Sequence, residues 1–304
     1  MRASFVDAGS QLAEVMQRLR RAGDPEVSIN RDPDVKPEAL PGVLAGHEIA
    51  IIDHTALPAA IAKRIPGLKH VVFLGTGARS YMNPEELAAE CGIEVHIIKG
   101  YGDTAVAEMA FALMWAAAKG LARMDGGMRA GRWLRTEGME LTGKTVGLLG
   151  FGGIAAEMAR LCAGAGMTVL AWNRSPKSHP GVEFVTLDRL LAESHVLSVH
   201  LLLNDATRGF LDAEKLAKLR PGAVLVNTAR GAVVDEAAMV AALRSGALGH
   251  AALDVFDIEP MPEGHVLTTL ENVTLSAHSA FRTPEAADNL IGAALEHCRR
   301  IAAA

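Results

Sequence analysis

A chain of 304 residues has room for two domains, and with half its residues hydrophobic and 21% charged it can bury a large core. A net charge of −5 offers no basic field for nucleic acid, and no apolar run reaches membrane-spanning length. Cys91, Cys162 and Cys298 are far apart and form no C-x-x-C pair, so these cysteines indicate neither a disulfide framework nor a zinc site; they read as reduced, mostly buried thiols of a cytoplasmic protein. The opening MRASFVDAGS holds no apolar signal core.

The first hundred residues alternate strand and helix. Residues 3–6, 27–29, 48–52, 70–74 and 93–98 are apolar runs of strand length, and 12–19, 58–65 and 84–91 have helical spacing. Residues 31–41 are proline-rich and acidic, which predicts a surface connection. Such alternation predicts a parallel sheet with helices on both faces. One turn stands out: Gly75, Thr76, Gly77 and Ala78 follow the 70–74 strand. Ligands of open parallel sheets sit beyond the carboxyl ends of strands, and a glycine-bracketed turn there can aim N–H groups at an anion. From this segment alone, a turn without a ligand reads equally well.

Residues 104–121 form a long alanine-rich helix interrupted by Glu108, and 126–143, glycine-rich with Trp133, read as an extended arm or linker. The segment 144–174, KTVGLLGFGGIAAEMARLCAGAGMTVLAWNR, is the most informative. An apolar strand at 146–149 breaks at Gly150, Phe151 and Gly152, runs into helical spacing over 154–162, and is followed by a second strand at 167–172. This is a βαβ unit with the G-x-G-x-x-A form of the dinucleotide fingerprint. Gly150 permits the tight turn, Gly152 lets the backbone approach a pyrophosphate, and Ala155 lets helix and strand pack closely. The helix start then offers free N–H groups and a positive dipole end. Further strands are expected at 195–203, 223–228, 250–255 and 273–275, with helices at 213–219 and 236–243. The amphipathic helix at 284–301 belongs with the first domain, making that domain discontinuous.

Three later motifs carry a more specific signal: Asn227-Thr228-Ala229-Arg230-Gly231, Ala252-Leu253-Asp254-Val255-Phe256 running on to Glu259-Pro260, and Ser276-Ala277-His278. With Val106-Ala107-Glu108 and the fingerprint, the stretch 68–285 resembles the D-isomer-specific 2-hydroxyacid dehydrogenase family. The resemblance implies an α/β protein in which a Rossmann-type doubly wound parallel sheet (99–282) is inserted into a smaller flavodoxin-like α/β domain (1–98 plus 283–304), with substrate in the cleft. It implies catalysis by Arg230, Glu259 and His278, and a substrate carboxylate held by Arg230 and the Gly75, Thr76, Gly77, Ala78 turn. Cofactor contacts then fall on Thr104, Gly150, Phe151, Gly152, Gly153, Ile154, Asn173, Arg174, Ser175, Thr228, Ala229 and Asp254, the last at the nicotinamide side. No metal is implied. The residue types suit the chemistry independently: histidine titrates near neutrality and can deliver a proton, an acid can orient it, and a guanidinium offers a planar fork to a carboxylate.

Some positions depart from the family pattern. An NAD enzyme usually ends its second strand with an acid, whereas this chain has Asn173, Arg174, Ser175 and then Lys177, which predicts NADP(H) preferred, with NAD(H) possible. Ala277 and Leu202 stand where the family often has proline, which bears on loop shape. The chain stops after its last helix, without the regulatory domain of many phosphoglycerate dehydrogenases. Glu259 stands where formate dehydrogenases carry glutamine, which disfavours formate. The expected activity is hydride transfer between NADP(H) and a small 2-oxo or D-2-hydroxy acid, with glyoxylate or hydroxypyruvate as substrate. The alternatives are a dinucleotide-sensing protein without turnover and a dehydrogenase oxidising an inorganic anion. A homodimer formed through residues 104–133 is expected.

Overall fold

The computed structural model describes residues 1–303; Ala304, the last residue of the expected 283–304 segment, lies outside the described residues. In chain order the elements are β1 (Arg2–Phe5), α1 (Ser10–Leu19), β2 (Glu26–Ile29), α2 (Leu40–Val43), β3 (Ile49–Ile52), α3 (Ala59–Ala62), β4 (His70–Phe73), α4 (Pro84–Cys91) and β5 (Glu94–Ile97). There follow α5 (Asp103–Lys119), α6 (Leu121–Arg129), β6 (Thr145–Leu149), α7 (Gly153–Gly164), β7 (Thr168–Trp172), β8 (Glu183–Phe184), α8 (Leu187–Glu193) and β9 (Val196–Val199). The chain ends with α9 (Ala213–Ala217), β10 (Ala223–Asn227), α10 (Glu236–Ser245), β11 (Leu248–Leu253), β12 (Val273–Leu275) and α11 (Pro284–Ala303). It divides into two compact units, one of Met1–Gly102 with the segment from Arg282, the other of Asp103–Phe281.

The first unit is a five-stranded parallel sheet in the order β2-β1-β3-β4-β5, the flavodoxin-like arrangement. On one face Met16 of α1 and Leu290, Ile291 and Leu295 of α11 pack with Phe5, Ile49 and Val72. On the other, Leu40, Leu57 and Leu87 pack with Ala50, Ile52 and Val71. Both faces are covered, which is why these strands read as continuous apolar runs. Each fully buried side chain of this size contributes about 1.5–3 kcal/mol. The expected surface connection over 31–41 contains a 3-10 turn at Pro37–Ala39 and reaches the start of α2, because Leu40 is fully buried in the core.

The second unit is a seven-stranded parallel sheet, ordered β12-β11-β10-β9-β6-β7-β8. Strand order reverses between β6 and β9, so the glycine turn after β6 lies at the topological switch point of a doubly wound sheet. Met114 of α5 and Met158 and Cys162 of α7 cover one face; Leu190 of α8 and Met239 and Leu243 of α10 cover the other. Burial pushes the Cys162 thiol up to about 12, and the Cys298 thiol of the first unit likewise, which leaves both inert.

The elements α5, α6, β8, α8 and β9 differ from the sequence expectation. The long helix stops at Lys119, where Gly120 turns left-handed at φ 62, and α6 follows at a 69° bend. The expected arm therefore begins inside a helix: Gly127 belongs to α6, and a Cβ there would stand 2.9 Å from that of Leu134. These glycines admit close neighbours rather than extended chain. β9 ends at Val199, short of the expected 203, and β8 with α8 was not anticipated because two strand residues carry no periodicity. Among the described residues no single helix is long and apolar enough to cross a membrane.

Candidate active site

The turn after β6 is shaped for an anion. Gly150 holds φ 89, and a Cβ there would lie 2.8 Å from the His200 carbonyl oxygen, so only glycine fits. α7 starts with no side-chain cap, and the N–H groups of Gly152, Gly153 and Ile154 find no acceptor among the described residues. A Cβ on Gly152 would meet nothing within 4 Å, whereas one on Gly153 would stand 1.8 Å from a carboxylate oxygen of Asp103. An open glycine approach, uncapped amides and a helix dipole fit a dinucleotide pyrophosphate. Ala155 is fully buried in the α5–α7 core, as close helix packing requires. Asp103 was not foreseen, since nothing local marks an acid fifty positions from the glycine it touches. Its pKa is raised, first by burial and then by the charge of Glu157.

Phe151, expected among the cofactor contacts, spends its backbone on the chain. Its N–H donates to Asn173 Oδ1 at 3.2 Å, and its carbonyl accepts from Lys177 Nζ at 2.5 Å. Its ring is buried between His179 and Phe184. Asn173 also donates to the Ser175 carbonyl at 2.8 Å, so its amide clasps the turn and is not free to reach outward. Arg174 and Ser175 are exposed, and Arg174 has no acidic partner among the described residues. Thr104 is exposed in the first turn of α5.

Arg230, Glu259 and His278 lie in the loops beyond the carboxyl ends of the adjacent strands β10, β11 and β12. The Arg230 turn is built by Asn227, 1% exposed, whose side chain accepts from Ala229 N–H at 3.0 Å and donates to the Arg230 carbonyl at 2.9 Å. No local pattern in the sequence marks this role of Asn227. Thr228 is buried, and Ala229 is half-buried with its carbonyl taking an Arg230 Nη1 bond of 2.6 Å. No carboxylate pairs with Arg230 among the described residues, so most of its fork stays unused. Gly231 passes so close to the next loop that a Cβ would lie 2.0 Å from the Phe256 carbonyl carbon.

His278 Nδ1 lies 2.5 Å from Glu259 Oε2, and the other Glu259 oxygen accepts from Phe256 N–H at 2.8 Å. The carboxylate is thus fixed by backbone on one side and orients the imidazole with the other. His278 is the one non-glycine residue with positive φ among those described, at 46°, a conformation that must be held from outside. Asp254 holds it. Fully buried, Asp254 accepts from Ser276 Oγ (2.5 Å), Ser279 N–H (3.0 Å) and Ala280 N–H (3.0 Å), while its carbonyl takes the His278 N–H at 2.7 Å. The residue expected at the nicotinamide side turns its carboxylate to the loop that carries His278.

In the first unit, the Gly75 N–H donates to the Phe73 carbonyl at 2.9 Å and so is not an available donor. The N–H groups of Thr76 and Gly77 find no acceptor among the described residues. Arg79 pairs with Glu85 at the surface. Two other histidines serve the sheet: His195 Nδ1 accepts from Thr145 N–H at 3.2 Å, and His200 has a buried Nε2 with no partner, its pKa pushed down to about 4 by burial. A surface pocket of about 450 Å³, lined by Gly222, Gly249 and His250 among others, contains none of the candidate residues.

The D-isomer specific 2-hydroxyacid dehydrogenase, NAD binding domain matches residues 111–280. The chain is 40% identical over 227 residues to a glyoxylate reductase of Aeropyrum pernix, covering 68% of each chain. It is 39% identical over 205 residues to a hydroxypyruvate reductase of Thermotoga maritima, covering 66% of this chain and 67% of the relative. Among solved structures, an acyclic imino acid reductase in complex with NADPH and D-Arg superposes with a TM-score of 0.86 at 25% identity, covering 100% of this chain and 97% of the other.

Proposed function

Because this chain belongs to the D-isomer-specific 2-hydroxyacid dehydrogenase family, an NAD(P)-linked group acting on small 2-hydroxy and 2-oxo acids, we propose that it is an NADP(H)-preferring reductase of glyoxylate or hydroxypyruvate. The observation that carries catalysis is the 2.5 Å His278–Glu259 contact. With Nδ1 held by the acid, Nε2 is the nitrogen left to act. His278 donates its Nε2 proton to the substrate carbonyl oxygen and takes it back in the reverse direction, while Glu259 keeps the ring oriented and balances the imidazolium. Arg230, free of acidic partners, grips the substrate carboxylate with its fork and polarises the neighbouring carbonyl. In the first unit, Thr76 and Gly77 are the amides we assign to a carboxylate oxygen. Gly152, Gly153 and Ile154 would hold the dinucleotide pyrophosphate, and the nicotinamide when bound supplies the hydride.

NADP(H) preference rests on the end of β7. Asn173 brings no charge to repel a 2′-phosphate, and exposed Arg174 with Ser175 offers charge-assisted hydrogen bonds to one. The glyoxylate and hydroxypyruvate relatives support the substrate class. Oxidation of NADPH and NADH by the purified protein with glyoxylate, hydroxypyruvate, pyruvate and phenylpyruvate tests both parts. We expect turnover with the first two and a lower KM for NADPH, with Arg174→Ala losing roughly tenfold in that preference. Equal use of the two cofactors overturns the cofactor reading. Absence of turnover with intact cofactor binding turns the assignment toward a dinucleotide sensor. We also assign a homodimer to the 104–133 region, where Trp133 is 79% exposed and Leu121 55%. A monomeric mass by light scattering removes that assignment.

A further inference from the structure

At the opposite end of the first unit's sheet, three side chains with metal-binding chemistry converge. In the parallel pairing of β4 with β5, His70 stands level with Glu94 and Val72 with His96. Residues in register share a face, and so do residues two apart on one strand, so His70, Glu94 and His96 all project to the same side. That side is covered by α11, whose His297 ring lies 5.6 Å from His96.

The spacing is that of a ligand set. His70 Nδ1 is 3.2 Å from His96 Nε2 and 3.7 Å from Glu94 Oε2, and His96 Nε2 is 3.8 Å from the same oxygen. The point equidistant from three atoms so placed is about 2.1 Å from each, the bond length of zinc to nitrogen and carboxylate oxygen. The two imidazoles are mostly buried, at 20% and 18% exposure, while the Glu94 side chain is 68% exposed. A rigid nitrogen pair therefore backs an open side through which an ion can enter. Arg300 on α11 places a positive charge near His96, which lowers affinity without disturbing the geometry.

We propose that His70, Glu94 and His96 form a binding site for a divalent transition-metal ion, with Zn2+ the ion that two imidazoles and one carboxylate suit. His70 and Glu94 open their strands, whereas Thr76 and Gly77 follow the far end of β4, so the ion is not poised over those amides. Its effect is to tie the edge strand β5 to β4 and brace the sheet.

The test is a titration of chelator-stripped protein with Zn2+, read by competition with a chromophoric chelator and by the thermal midpoint. One equivalent should bind per chain and raise the midpoint, while Mg2+ at the same concentration should do neither. Glu94→Gln, a change on an exposed side chain that leaves the fold intact, should weaken Zn2+ at least about tenfold, and His96→Ala should abolish the single-equivalent phase. Co2+ in place of Zn2+ should give visible absorption bands that both variants lose. Absence of saturable Zn2+ binding, or binding unchanged in both variants, overturns the site.

Discussion

Two groups of histidine mark the ends of parallel strands in this protein, and they are positioned by different means. His278 follows the carboxyl end of β12 in a loop, at φ 46, and is held there by the buried Asp254 and aimed by Glu259. His70 and His96 lie within strands, at the amino end of the first sheet, and the register of β4 on β5 alone sets their spacing. The loop presents a single imidazole with one nitrogen free, which suits proton exchange with a molecule that arrives and leaves. The strand pair presents several donors at fixed separation, which suits an ion that stays. Loops at carboxyl ends adapt to chemistry; strand register builds rigid ligand sets.

The sharpest way to break this contrast is to substitute one residue of each site and read turnover. His278→Ala should lower kcat by about 10²–10⁴-fold, the usual contribution of a positioned general acid, with the dissociation constant for NADPH nearly unchanged. Glu94→Gln should leave kcat as it was. Turnover surviving in His278→Ala would take the proton from another group and end the comparison.

How much of this could be read beforehand depends on whether partners are close in sequence. The glycine turn, the apolar strands of both sheets and the three catalytic candidates were legible because each is a local pattern or a family motif. The support of His278 was not: Asp254 lies in one motif, and the residues its carboxylate binds open or directly follow another, 22 to 26 positions away. The strands also hid what their register assembles, since His70 and His96 are 26 positions apart and no zinc-type spacing links them. Glycine misled in the other direction: Gly126 and Gly127 read as part of an extended arm, yet they lie in α6.

The next effect falls on the scaffold of the loop site. Gly231→Ala places a Cβ 2.0 Å from the Phe256 carbonyl carbon, so either the Arg230 turn or the loop leading to Glu259 must move. A loss of about 1–3 kcal/mol in urea unfolding, the usual cost of overpacking, should accompany a raised KM for the acid. A substitution at Glu94 should show no such coupling, because its side chain is exposed. Wild-type stability and KM in Gly231→Ala would mean that the two loops are not braced against each other.

The smallest expected effect concerns a third kind of histidine, half-buried with its Nε2 enclosed, and with neither a proton to exchange nor an ion to hold. Burial pushes His200 down to about 4, and its Nε2 has no partner. The unfolded chain titrates this residue near 6.5, so between these values it binds more protons than the folded chain does. Stability from this source is therefore complete above about pH 6.5 and is lost as the pH falls toward 4. At about pH 5.5 the loss is roughly 1 kcal/mol. His250, also pushed down to about 4 by burial, acts in the same direction. Urea midpoints for the protein and for His200→Asn, measured from slightly alkaline pH down to about pH 5.5, should converge on acidification, because only the native residue must be kept uncharged. Parallel curves would mean that the imidazole is protonated in place, and His200 would then belong with the histidines that exchange protons.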